Sequence, residues 1–321
     1  MPAITVENPL VLPRLARPRP ASVSRPVLRT IPAQYAVEGA GFQVWRPFPG
    51  GVDLHATDPF LLLDQLGPTY NAPGAAKGAP WHPHRGFETV TYLLDGEIAH
   101  HDSNGGGGVI GEGDTQWMTA GSGILHDEVP SESVLLSGGP AHGVQLWVNL
   151  PAAQKFTPPR YQAITGDHLT LLTSDDGSAL IRLIAGDLAG RTGPGVTHTP
   201  ITYSHVTLPP GGRLVVPWNP AFNAMAYALL GQGYAGDEER PFREHELVMF
   251  GGGDHLVVRA AEHQEDESPT VELLLLGGLP IGEPIAHYGP FVMNSKAEII
   301  QALEDYEAGR MGTIPAVTLG E

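Results

Sequence analysis

Four side chains in two short segments have the types and spacing to hold a metal ion. His82-Pro83-His84 has the H-x-H form, and His126-Asp127-Glu128 has the H-x-E form. Alternate side chains of an extended strand share a face. His82 therefore points with His84, and His126 with Glu128, while Asp127 points away. Glu88 would join the first face if that strand ran on. Two such strands facing one another inside a barrel can close a four-ligand site. Three imidazoles and one carboxylate suit a first-row divalent ion such as Fe, Ni, Cu, Mn or Co. Burying four ionisable groups on inward faces is costly without a metal. The chain has 14 His and no Cys, so disulfides, zinc fingers, iron–sulfur clusters and thiol catalysis are excluded.

The elements that must position these residues read as short strands. Thr89–Leu94 is β-branched and aromatic and stops at Asp95-Gly96, a hairpin signal. Val144–Asn149, Leu180–Ala185, Ile201–Leu208, Arg213–Pro217, Ala224–Leu230, Leu247–Phe250, Leu256–Arg259 and Val271–Leu276 have the same character. Gly (41) and Pro (31) punctuate them along 321 residues, as an all-β sandwich or barrel requires. Ser295-Lys296-Ala297-Glu298 has capping-box form. Ile299, Ile300, Leu303 and Tyr306 follow at helical spacing and Gly309 ends the helix. Tyr92-x-Leu-x-Gly96 resembles Tyr227-x-Leu-x-Gly231, an offset of 227 − 92 = 135 residues that suggests two copies of one barrel. The expected organisation is all-β: a flexible basic Pro/Arg-rich arm over 1–30, a metal-binding antiparallel barrel over 31–155, and a second barrel with a C-terminal helix over 156–321. At the 135-residue offset the second-barrel positions matching His82, His84 and Glu88 are Pro217, Asn219 and Asn223. None is a good ligand, so the second barrel is expected to be metal-free. His255 and His263 lack an H-x-H partner and read as surface residues.

Lys+Arg number 18 and Asp+Glu 35, a net charge of −17. So acidic a chain repels a phosphate backbone, which argues against direct nucleic-acid binding. No apolar run reaches the ~18 residues that a membrane helix needs. The default compartment is the cytoplasm. Gly105–Gly108 lacks the Lys and following helix of a Walker motif and reads as a hairpin loop. No Gly-x-Ser-x-Gly leads from a strand into a helix, so a hydrolase elbow is not supported.

Longer motifs carry a resemblance. His82-x-His84-x-x-x-Glu88 and Gly121-Ser-Gly123-Ile-Leu-His126 resemble the two motifs of the cupin superfamily. His82-Pro-His-Arg-Gly-Phe-Glu-Thr-Val-Thr-Tyr-Leu-Leu94, Gly113-Asp-Thr-Gln-Trp-Met-Thr-Ala-Gly121, Gly123-Ile-Leu-His-Asp-Glu128, His142-Gly-Val-Gln-Leu-Trp-Val-Asn-Leu-Pro151 and Tyr288-Gly-Pro-Phe-Val-Met-Asn294 resemble the pirin family, from about Arg29 to Gly312. The resemblance implies a bicupin with one metal, usually iron, in the first barrel. Fe(II) is the expected ion, with Ni, Cu, Mn, Co and Zn as others the donors accept. Carried across, the ligands fall on His82, His84, His126 and Glu128. The general cupin pattern nominates Glu88 as the carboxylate. The pirin pattern instead leaves Glu88 beside the ligands, orienting one of them or a bound water. Gln116, Trp117 and Met118 lead into the second motif as candidate cavity residues.

Two functions are compatible with this ligand set. The first, which the resemblance implies, is a quercetin 2,3-dioxygenase acting on a small aromatic flavonol and O2, with Glu128 as base toward the 3-hydroxyl. The second is a regulator whose metal state alters a surface read by a transcription factor or metabolic enzyme. The net charge favours a protein partner with a basic face.

Overall fold

The alternating segments fold into two pairs of antiparallel sheets. The computed structural model describes residues 4–38, 41–264 and 269–315. In the first pair, a seven-stranded sheet runs in the order Arg160–Ile164, Thr115–Thr119, Phe87–Asp95, Gly139–Asn149, Phe60–Asn71, Phe42–Phe48 and Gln34–Glu38. Its four-stranded companion runs Ala79–His84, Ile124–Pro130, Ile98–Asp102 and Gly107–Ile110. The second pair repeats this plan. Its larger sheet is ordered Val27–Pro32, Glu246–Phe250, Met225–Leu230, Val271–Gly278, Ile201–Leu208, Leu180–Leu188 and Thr170–Thr173, with Arg191–Thr192 on Leu180–Leu188. Its smaller sheet is Arg213–Pro217, His255–Ala260, Gly233–Ala235 and Arg240–Phe242. This is the architecture of a bicupin.

The Tyr-x-Leu-x-Gly repeat marks equivalent corners. The strand before Asp95-Gly96 lies in the larger sheet and the strand after it in the smaller one. The turn therefore carries the chain between sheets and does not close the expected hairpin. Gly231 does the same in the second barrel, and both glycines have positive φ, 93° and 79°.

Contacts group the chain differently from the expected cut at 155. One unit is Met1–Tyr35, Trp45–Leu63 and Gly166–Pro280; the other is Ala36–Val44, Asp64–Thr165 and Ile281–Glu321. The N-terminal segment thus belongs with the second barrel and the C-terminal segment with the first. Residues expected to form a loose arm are bonded. Arg25 is buried and donates to the carbonyls of Gly253, Gly251 and Asn219 at 3.0, 3.2 and 2.9 Å. Arg17 pairs with Asp175, and Val27–Pro32 adds an edge strand to Glu246–Phe250. A guanidinium held by three carbonyls and a backbone ladder tie this segment down.

The C-terminal helix spans Lys296–Glu307. The Ser295 hydroxyl accepts from the Glu298 amide, and the Glu298 carboxylate accepts from the Asn294 amide. Ile299 and Ala302 are its buried residues and pack with Phe291, Met293 and Met311. Ile300 and Tyr306, expected on the packed face, are 53% and 42% exposed. At about 100° per residue, Ile300 is turned away from the Ile299–Ala302 stripe. Among the described residues, no helix is long and apolar enough to cross a membrane.

The space between the sheets of the second barrel holds a continuous apolar core. Leu214, Val216, Trp218, Leu256 and Val258 come from one side, and Ala226, Val248, Leu273 and Leu275 from the other. The pairing registers also correct the matched positions. At the 135-residue offset His100 corresponds to Ala235. His100 pairs with Glu128 and Ala235 with Val258. Two residues back, His126 then matches Leu256. His126 pairs with His82 and Leu256 with Val216. His82 and His84 therefore match Val216 and Trp218, whereas the offset alone points to Pro217 and Asn219. The connection to the next strand is one residue longer in the second barrel, and a slip of one residue turns every side chain to the other face. Asn223 keeps its match to Glu88.

Candidate metal centre

The Ala79–His84 strand carries Pro80 and Pro83 and lies at the edge of its sheet, the position where a missing amide hydrogen is tolerated. Its neighbour Ile124–Pro130 sets His126 opposite His82 and Ile124 opposite His84. Period two does the rest: the His82, His84 and His126 rings converge, with centroids 4.2 to 4.8 Å apart. The His82 Nε2 lies 3.1 Å from His84 Nε2 and 2.9 Å from His126 Nε2. These three are a cluster able to hold a metal ion.

The outward nitrogens show how the rings are oriented. His82 Nδ1 donates to the Pro80 carbonyl at 2.8 Å, and His84 Nδ1 to the Pro290 carbonyl at 3.3 Å. A carbonyl only accepts, so both Nδ1 atoms carry hydrogen, which leaves Nε2 as the nitrogen of each ring that can offer a lone pair. Burial, and then the neighbouring imidazoles, push the pKa values of His84 and His126 well below the ordinary range. Imidazole lone pairs that converge repel unless a cation lies between them. Metal–nitrogen bonds of about 2.0–2.1 Å at right angles place two nitrogens about 3.0 Å apart, as His82 is placed from each partner. The donor set fits a first-row divalent ion.

Glu128 faces the same interior. A register shift between His126 and Glu128 swings it toward the larger sheet, where one lateral row of side chains receives it. Thr91 pairs with Gln116 on one side and Gln145 on the other. The Thr91 hydroxyl donates to Glu128 Oε1 at 2.8 Å, the Gln116 amide also donates to Oε1, and the Gln145 amide donates to Oε2 at 2.8 Å. Each carboxylate oxygen has about two lone pairs. Both of those on Oε1 are used, and one on Oε2 remains open. Glu128 is not within the tight cluster of the three histidines.

Other expected residues are distributed by strand parity. Gln116 touches Glu128. Met118 shares its face and packs with Ala120, Ile124 and Tyr161. Trp117 is buried on the opposite face of that strand. Glu88 also lies on the opposite face of its strand from Thr91, where Thr119 donates to it at 2.7 Å. The first-motif strand does not run on: it stops at His84, and Phe87 begins a new strand in the other sheet. Glu88 therefore does not share the His82–His84 face.

Several site residues were not foreseen. Trp147 stands 5.3 Å from the His84 ring and 4.4 Å from Phe87, giving the site an aromatic wall. Tyr161 donates to Gln116 Oε1 at 3.4 Å. Burial, then Glu128 and Asp102, push its hydroxyl up to about 12, so it keeps its proton as a donor. His100 is buried, with its Nδ1 3.5 Å from His126 Nδ1. The only signal for it was the strand alternation in Ala99-His100-His101-Asp102, which cannot say which histidine turns inward. His82, Gln145, Trp147 and Glu128 are half-buried while His84 and His126 are buried, so the centre meets solvent on the His82 side.

The chain is similar to known proteins over most of its length. Residues 41–148 match the Pirin family and residues 203–312 the Pirin C-terminal cupin domain. A Pseudomonas aeruginosa protein named "Putative quercetin 2,3-dioxygenase" is 42% identical over 85% of this chain and 93% of its own length. Pirin of Homo sapiens is 36% identical over 90% of this chain and 94% of its own. The crystal structure of a quercetin 2,3-dioxygenase from Acinetobacter baumannii superposes with a TM-score of 0.84 at 35% identity, covering 91% of this chain and all of that one.

Proposed function

The chain belongs to the pirin family, and from that premise we propose that it is a mononuclear metal dioxygenase acting on flavonols such as quercetin. The observation that carries this reading is the convergence of three imidazole Nε2 atoms, with Glu128, a carboxylate with one open lone pair, two residues along the His126 strand. In this reading His82, His84 and His126 hold the ion, Fe(II) being the expected one, and Glu128 is the fourth ligand. The bound ion supplies Lewis acidity toward the flavonol 3-hydroxyl and one-electron chemistry toward O2.

The chain's own groups supply the rest. The one open lone pair, on Glu128 Oε2, would serve either the ion or the proton of the 3-hydroxyl, since Oε1 is occupied by Thr91 and Gln116, so Glu128 takes that proton only on releasing the ion. Gln145 steadies the same carboxylate and stands half-buried at the solvent side. Trp147, half-buried and packed on the buried Phe87, offers a flat apolar face beside His84 for an aromatic ring system, as ligand sites of this kind require. The relatives with dioxygenase names and the Acinetobacter structure support the same chemistry.

Oxygen uptake and carbon monoxide release with quercetin test the reading on iron-loaded protein, beside His126→Ala. Metal-dependent uptake with equimolar carbon monoxide, absent in the variant, is expected. No uptake from protein that demonstrably holds iron would overturn the reading and favour the regulatory one.

A further inference from the structure

The three histidines are not oriented alike. His82 and His84 each donate through Nδ1 to a backbone carbonyl. Among the described residues, no carbonyl accepts from His126. Its Nδ1 lies 3.5 Å from His100 Nδ1, and the far nitrogen of His100, Nε2, is 3.7 Å from Asp102 Oδ2. Among the described residues that Nε2 is buried with no hydrogen-bond partner, while both side chains of the pair are within 1% of full burial.

We propose that His100 and Asp102 are positioning residues of the metal centre: His126 Nδ1–H donates to His100 Nδ1, and His100 Nε2–H points at the Asp102 carboxylate. The inference rests on the reading that His82, His84 and His126 hold a metal. The relay leaves the His126 Nε2 lone pair facing the ion, and the carboxylate behind two imidazoles makes His126 a stronger donor than a carbonyl would.

The surroundings hold this pair in place. Asp102 Oδ1 accepts the amides of Asn104 and Gly106 at 2.7 and 2.9 Å, which leaves Oδ2 for His100. A side chain at Gly106 would strike the Asp102 carboxylate and come within 2.9 Å of Tyr161 Cβ. The glycine run at 105–108 therefore has a structural reason: it closes the hairpin over the pair. Tyr161 stacks on the His100 ring, with centroids 4.8 Å apart and planes at 26°. Through Gln116 the same tyrosine reaches Glu128, so one aromatic contact ties the relay to the carboxylate side of the site. His101, the adjacent residue, is exposed and bonds Asp127 on the outer face.

Cobalt(II) titration against a competing chelator, with the visible absorption band recorded, tests the assignment. The proteins are wild type, Asp102→Asn, His100→Phe, His101→Ala and His84→Ala. Asp102→Asn keeps an acceptor for the turn amides, and His100→Phe keeps the stack on Tyr161. Each is expected to weaken cobalt binding about 10- to 100-fold and to shift the band, with His101→Ala unchanged. Should His100→Phe fail to fold, Asp102→Asn decides. Wild-type affinity and band in both variants, while His84→Ala loses the ion, would overturn the relay alone. Weaker binding with an unshifted band would also overturn it, as a merely structural effect. Failure of wild type to bind cobalt, or undiminished binding by His84→Ala, would sink the three-histidine reading and this inference with it.

Discussion

The two barrels share a strand plan and differ in what fills it. In the first, the facing sheets enclose His82, His84, His100, His126 and Glu128 with the row Gln116, Thr91, Gln145. In the second, the same register positions are Val216, Trp218, Ala235, Leu256 and Val258 with the row Val248, Ala226, Leu275. All eight of the latter belong to one apolar core. The scaffold therefore does not need the polar set, because an apolar set closes the same architecture. Apolar burial stabilises by about 25 cal/mol per Å², whereas buried polar groups cost free energy unless every one is satisfied. The polar interior is kept for chemistry, and the network of amides and hydroxyls around Glu128 is what makes it tolerable.

Exchanging residues between the barrels gives the largest expected effect. His126→Ala should weaken metal binding by more than about 100-fold, beyond the 10- to 100-fold typical of losing an outer partner. Leu256→Ala, its register match, should leave metal content unchanged and cost about 3 kcal/mol of stability, read by urea unfolding. Metal loss in the second variant would dissolve the distinction between the barrels.

Giving the first barrel the second one's row is the next test. Thr91→Ala, Gln116→Val and Gln145→Leu together remove the three side-chain donors to Glu128 described above. Turnover of quercetin is expected to fall about 100-fold, in the range of general-base effects, with the three histidines still binding metal. Elemental analysis beside steady-state rates separates the two. Unchanged turnover would mean that the row is packing and not support.

The C-terminal segment gives a smaller effect. Arg85 Nη1 and Arg310 Nη2 each lie 2.6 Å from Asp305, and these bonds hold its carboxyl down at about 2. A carboxyl whose pKa is lowered on folding stabilises fully above its unfolded value of 3.8 and loses that contribution as the pH falls toward 2. Asp305→Ala is expected to cost about 2 kcal/mol at neutral pH by leaving the buried Arg85 without its carboxylate. The difference from wild type should shrink below about pH 3. A stability gap that is flat with pH would contradict this account of the contact.

The smallest expected effect is at Glu88. Glu88→Gln keeps an acceptor for Thr119 on the far face of its strand, and metal affinity should change less than about twofold. A loss comparable to that of His84→Ala would show that Glu88 reaches the ion.

Much of the site was legible because period two is local. His82, His84, His126 and Glu128 could be placed on two inward faces from spacing alone, and the capping box at Ser295 located its helix. What required the structure was non-local. The turn at Arg85–Gly86 moves the chain into the other sheet, so parity counted from His84 fails at Glu88. Gln116, Thr91 and Gln145 become neighbours only through cross-strand register. The single-residue difference before Met225–Leu230 displaced two of the second-barrel matches by one position. Arg25 reads as a solvated cation until the three carbonyls that receive it are known.

Anomalous diffraction at the absorption edge of the bound metal, in crystals of loaded protein, tests the central claim most directly. The account predicts one strong peak about 2.0–2.2 Å from His82 Nε2, His84 Nε2, His126 Nε2 and a Glu128 oxygen, and none between the sheets lined by Val216, Leu256 and Val258. A peak in the second barrel, or loaded crystals with no peak among the three histidines, would contradict it.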